Sequence, residues 1–133
     1  MGHPDFTPPL ESPVILIVED DMILRELLAE VIADMGAVVH TARTADEGVD
    51  AMMAHAELDL LITDVVTPGR TSGWELAAWA YHHRPELQVI VTSGFSLRQT
   101  VDLPPNATFV AKPWSLSDIC ALVSQRLEQR TLK

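Results

Sequence analysis

Leu58-Asp59-Leu60-Leu61-Ile62-Thr63-Asp64 decides the fold. A short apolar run of this kind predicts a strand buried on both faces, spanning Leu58–Thr63. The acid that closes it gains nothing from such packing and therefore points to chemistry. Working outward, four more segments behave alike: Val14–Val18 runs into Glu19-Asp20, Gln88–Val91 into Thr92, and Ala107–Val110 toward Lys112, while Val38–Ala42 completes the set. Between them lie stretches of helical periodicity. Alternating strand and amphipathic helix predicts an α/β domain with a doubly wound parallel sheet, covered by helices on both sides. Ligands of such sheets bind beyond the carboxyl ends of the strands.

The first helix carries Ile23, Leu24, Leu27, Leu28, Val31, Ile32 and Met35 at the spacing of one apolar face, and Gly36 is its stop. The second is expected over Ala45–Ala56, with Thr44 as cap and Glu47 three residues on. A third runs from Gly73 to His83 and ends before Pro85. Ser96–Val101 has room for only a short or irregular fourth helix before Pro104-Pro105. A fifth covers Ser115–Glu128, with Leu116, Ile119, Cys120, Val123 and Leu127 facing inward. Residues 1–12 are expected to be a flexible tail and residues 13–133 a single domain.

Composition narrows the function. The 133 residues carry a net charge of −10, which opposes binding to a nucleic-acid backbone, and basic residues nowhere cluster. No apolar run is long enough to span a membrane. The single cysteine, Cys120, sits at a packing position and has no partner for an internal disulfide. A soluble cytoplasmic protein is the expectation.

With strand order 2-1-3-4-5, the ends of strands one and three bring Asp20 and Asp64 together. Two carboxylates about 4 Å apart repel by about 4 kcal/mol at an effective dielectric of 20, so they call for a cation or a proton. Oxygen ligands of this kind suit Mg²⁺, with Mn²⁺ able to substitute. Thr92 is placed to donate a hydrogen bond to a phosphoryl oxygen, and Lys112 to offer it a point charge. Asp21 reads as a favourable charge at a helix N-terminus. His82 and His83 read as dipole-matched residues at a helix C-terminus, at least one of Trp74 and Trp79 as partly exposed, and Trp114 as a packing residue.

Val18-Glu19-Asp20-Asp21, Thr63-Asp64 with Pro68 and Gly73 after it, Val91-Thr92-Ser93-Gly94 and Lys112-Pro113 together resemble the response-regulator receiver domain. The similarity covers about Pro13 to Glu128. It implies a flavodoxin-like (βα)5 fold and a two-component signalling switch that is not an enzyme in the ordinary sense. Asp64 would be the phosphoacceptor, served by a sensor histidine kinase or a phosphotransfer protein. Asp20 would ligate Mg²⁺, with Glu19 acting directly or through water and Val66 offering its backbone carbonyl. Thr92 and Lys112 would be the pair that senses the phosphoryl group, Phe109 would stand at the position of the switch aromatic, and Lys112-Pro113 would be a cis bond. The signal would pass by contact with a downstream protein.

Two departures stand out: Gly73 falls one residue later after the acceptor than in the common form, and Thr67 stands where Met is frequent. The longer loop resembles receivers of hybrid kinases and of stand-alone regulators. An aspartyl-nucleophile phosphatase of the haloacid-dehalogenase kind would need an acid two residues after Asp64, where Val66 stands. A flavodoxin-like electron carrier would need a hydroxyl-rich phosphate loop where Glu19-Asp20-Asp21 stands.

Overall fold

The chain runs β1 (Val14–Val18), α1 (Met22–Asp34), β2 (Val38–Ala42), α2 (Ala45–Ala54), β3 (Leu60–Asp64), α3 (Gly73–His83), β4 (Gln88–Ser93), β5 (Ala107–Ala111) and α4 (Leu116–Glu128). This is a computed structural model, and it describes residues 12–94 and 103–128. The expected short helix Ser96–Val101, and all but the last residue of the expected tail, lie outside the described residues. The helix numbered fifth in the sequence reading is therefore α4.

All five strands are parallel and lie in the order β2-β1-β3-β4-β5. Strand alternation divides the core in two. Leu16, Val18, Leu61, Val89 and Val91 face α2 and α3, meeting Met52, Leu76 and Ala80. Ile15, Ile17, Leu60, Ile62 and Ile90 face α1 and α4, meeting Leu28, Ile32, Ile119 and Val123. Each of these fully buried Leu, Ile or Val side chains contributes about 1.5–3 kcal/mol of burial free energy. The central strands are apolar on both faces for this reason.

Helix starts follow the sequence signals. Asp21 accepts from Leu24 N–H as the α1 cap, and Thr44 accepts from Glu47 N–H as the α2 cap. Ser72 and Glu75 form a reciprocal capping box at α3, a signal the sequence reading did not use. Gly36 adopts φ 100°, the left-handed conformation that ends α1.

Three expectations change. Strands β3, β4 and β5 extend to Asp64, Ser93 and Ala111, so Asp64 and Thr92 are strand residues rather than the first residues beyond. Backbone pairing continues through them because a neighbouring strand lies alongside. Second, α2 stops at Ala54, and Leu58 precedes β3. Third, the apolar face of α1 is narrower than its periodicity suggested: Leu28 and Ile32 are buried, whereas Ile23, Leu27 and Met35 are exposed. The helix lies on the sheet along one stripe, and its N-terminal Met22, Ile23 and Leu27 project away from it.

Candidate acidic site at the carboxyl edge of the sheet

β1 and β3 are neighbours in register, with Val18 beside Thr63. Glu19 therefore leaves the sheet next to Asp64. Its backbone is fixed twice: its N–H donates to the Ala42 carbonyl at 3.0 Å, and its own carbonyl accepts from Arg25 Nη1 at 2.9 Å. Asp64 pairs in turn with Thr92 on β4. One carboxylate oxygen from each of Glu19, Asp20 and Asp64 lies within 4.8 Å of the others. Glu19 and Asp64 are buried and Asp20 is exposed, so the cluster opens to solvent on one side.

Lys112 arrives from the far side of the sheet. Its N–H bonds the Ser93 carbonyl at 2.8 Å, the peptide bond to Pro113 is cis, and the ammonium reaches back over β4. Nζ lies 3.1 Å from Glu19 Oε1 and 3.2 Å from Asp64 Oδ2, bridging the two buried carboxylates. Burial works against that ammonium, but the charges of Asp64 and Glu19 and its hydrogen bonds to both outweigh it and hold Lys112 above its ordinary value. Burial also pushes the Glu19 carboxyl up from its ordinary value. The charge of Asp64 adds to that rise, while the Asp21 N–H and Lys112 oppose it. Among the described residues one ammonium bridges Glu19 and Asp64, with the Asp20 carboxylate beside them, so the acids outnumber it.

The loop after β3 is shaped by close packing. A Cβ on Gly73 would sit 2.1 Å from the Asp64 carbonyl oxygen and 2.7 Å from Val65 Cα, so α3 can begin there only with glycine. Gly73 N–H donates to the Val65 carbonyl at 2.8 Å, tying the helix start to the strand end. The loop is pinned to the start of α2 as well. Thr67 Oγ1 accepts from Ala45 N–H at 3.0 Å, and Asp46 accepts from Arg70 N–H at 2.9 Å and from the Thr71 hydroxyl. The Thr67 departure thus serves as an anchor. Val66 itself is exposed.

Thr92 is buried, and the indole N–H of Trp114 donates to its hydroxyl at 2.8 Å. The sequence reading gave Trp114 only a packing role; nothing in the sequence links residues 22 apart, and only the turn after Lys112-Pro113 brings them together. Phe109 is partly buried and stacks on Trp74 with ring centroids 6.0 Å apart. Trp79 stacks on His83, so both tryptophans of α3 are half-buried. The structure thus gathers Glu19, Asp20, Asp64, Thr92 and Lys112 at one edge, with Phe109 one strand away on the α3 side.

The model of the response regulator receiver domain matches residues 15–124, and the chain belongs to that family. Among curated proteins it is 30% identical over 125 residues to the DNA-binding transcriptional regulator NtrC of Azospirillum brasilense, covering 92% of this chain and 26% of that protein. It is 28% identical over 123 residues to the sensor kinase CckA of Brucella abortus, covering 90% of this chain and 13% of the kinase. The chain thus spans about a quarter or less of these relatives. Among solved structures, the response regulator TrrA of Thermotoga maritima, in complex with Mg²⁺ and BeF, superposes with a TM-score of 0.75 at 26% identity, covering 86% of this chain and 98% of that one. Receiver domains bind Mg²⁺ at an acidic pocket and act as signalling switches.

Proposed function

We propose that this domain is a phosphorylation switch in which Asp64 accepts a phosphoryl group from the phosphohistidine of a sensor kinase or phosphotransfer protein. The observation that carries the reading is the Lys112 ammonium held between Glu19 and Asp64, with Asp20 beside them at the open side. A carboxylate oxygen of Asp64 attacks phosphorus in line, the P–N bond breaks, and the electron pair leaves with the imidazole nitrogen, which a proton then neutralises. The product is an acyl phosphate on Asp64. It carries about −1.5 to −2 charges where the carboxylate carried −1, and among the described residues Lys112 is the ammonium already in place to meet it.

Glu19, Asp20 and Asp64 present an oxygen-only donor set, open on the Asp20 side, that fits Mg²⁺ or Mn²⁺, with the Val66 carbonyl as a further ligand. The metal, when bound, supplies the positive charge that three carboxylates and a phosphoryl group lack. Lys112, drawn to the phosphoryl oxygens, loosens its hold on Glu19. Thr92 leaves the Trp114 indole to donate its hydroxyl to the phosphoryl group, and Phe109 shifts against Trp74. The face around β5 and α4 changes with them and carries the signal to a protein partner.

The exposed Met22, Ile23 and Leu27 follow the acidic pair directly, giving a kinase or phosphotransfer protein an apolar foothold beside Asp64. The likeness to CckA supports a second reading, in which this chain is the receiver of a hybrid sensor kinase. Phosphotransfer from a labelled histidine kinase in Mg²⁺ should mark the wild-type chain and leave Asp64→Asn unmarked. Equal labelling of both would remove Asp64 from the acceptor role.

A further inference from the structure

We propose that His40, His55 and Glu57 form a second metal site, for a divalent transition ion of the zinc class, separate from the acidic cluster. His40 lies in mid-strand on β2, the edge of the sheet, paired with Leu16 of β1. Strand alternation gives it the same side as Ala42, which packs against the α2 side of the core. His55 is the residue that ends α2, its N–H donating to the Ala51 carbonyl at 3.0 Å. The chain turns there and lays the His55 ring on that of His40, with centroids 3.8 Å apart and planes 19° from parallel. Glu57, two residues on, brings Oε2 to 3.5 Å from His55 Nδ1. One donor atom from each of the three residues lies within 4.8 Å of the others.

The donor set chooses the ion. Two imidazoles and a carboxylate, with a position left for water, suit zinc and its neighbours; the oxygen-only cluster suits Mg²⁺. The two sites are also far apart in the fold. The connection holding His55 and Glu57 enters β3 at its amino end, whereas Asp64 closes its carboxyl end. The strand between them is about 13 Å long at 3.3 Å per residue.

Tetrahedral zinc with bonds of about 2.0–2.1 Å needs donors about 3.4 Å apart, so the His55–Glu57 pair at 3.5 Å is already close and the set, within 4.8 Å, must draw in by at most about 1.4 Å. His55 and Glu57 sit on a turn whose side chains are 31% and 58% exposed, and can make that movement by side-chain rotation. Their backbone is already held, since Arg84 Nη1 donates to the His55 carbonyl at 2.8 Å and its other terminal nitrogen donates to the Met52 carbonyl. The Arg84 guanidinium, packed beside His55, faces carbonyls rather than the rings. An ion must lie in the plane of each imidazole it binds, so binding opens the stack. The outcome is a staple between the unprotected edge strand and the end of α2.

The test is calorimetric titration of ZnCl₂ into the full, untagged, chelator-treated chain near neutral pH. Ring C–H signals of the histidines are followed by NMR in parallel. One equivalent should bind, with the His40 and His55 signals moving together. His55→Gln, on a half-exposed turn, should weaken binding by at least about tenfold, as should His40→Gln, while a His82→Gln, His83→Gln double variant leaves it unchanged. A dissociation constant above about 100 µM, unchanged affinity in His55→Gln, or loss of binding only in a His82→Gln, His83→Gln double variant would overturn the proposal. Failure of these arms leaves the phosphoacceptor reading of Asp64 untouched.

Discussion

Replacing Lys112 with methionine keeps most of the length of the side chain and removes the ammonium that Glu19 and Asp64 share. Each contact, at 3.1 and 3.2 Å, is worth about 5 kcal/mol of attraction at an effective dielectric of 20. Most of that offsets the cost of taking the charges out of water, and breaking a buried pair typically destabilises by about 3–5 kcal/mol. Lys112 keeps nearly a quarter of its side chain in solvent, so the lower end applies, about 2–3 kcal/mol at neutral pH. The loss must depend on pH, and its sign follows from Glu19. Its carboxyl is already raised in the folded state, so its stabilising contribution is complete below its ordinary value and fades as pH rises through the folded value. Removing the ammonium raises Glu19 further and deepens that fade. Lys112, held above its own ordinary value, contributes at every pH below it, so it adds no slope of its own in this range.

Urea denaturation followed by circular dichroism at about pH 5 and about pH 7.5 should therefore show a small cost at the lower pH and a larger one at the higher. Mg²⁺ should win back part of the loss, about 1.4 kcal/mol at ten times its dissociation constant, and should bind the variant more tightly than the wild type. A cost identical at both pH values and indifferent to Mg²⁺ would refute the charge-sharing argument.

Three further outcomes follow from the geometry. Gly73→Ala should cost about 3 kcal/mol or more, since the new methyl meets the Asp64 and Val65 backbone, and it should slow phosphorylation by shifting the acceptor; a midpoint in urea equal to the wild type's would contradict the contact. Trp114→Phe should lose about 1 kcal/mol by leaving the buried Thr92 hydroxyl without its indole donor, and an unchanged stability would mean the bond is worth nothing. Once formed, the aspartyl phosphate should be long-lived, because Val66 and Gly94, two residues past Asp64 and Thr92, carry no polar group to orient a water. Hydrolysis within seconds, followed on phosphate-affinity gels, would argue the reverse.

The central strands were legible because each is a short apolar run, and the acidic site was legible because strand order alone brings the ends of β1 and β3 together. Strand ends were misjudged by up to two residues because ladder pairing does not stop where polarity begins, as Thr92 and Ser93 show. Ile23, Leu27 and Met35 misled the reading of α1 because periodicity reports which residues are apolar, not how much of the helix the sheet can cover. The Trp114 tether to Thr92, the crowding at Gly73 and the stacking of His40 on His55 left no local pattern, since each joins residues that only the folded chain makes neighbours.

Locating the phosphoryl group itself tests the account most directly. The chain would be treated with acetyl phosphate and Mg²⁺, the acyl phosphate reduced with borohydride, and the peptides read by mass spectrometry. Modification confined to Asp64, absent from Asp64→Asn and lost on chelation of Mg²⁺, is the result expected. A modified Glu19 or Asp20 in the wild-type chain, or labelling that is indifferent to the metal, would contradict it.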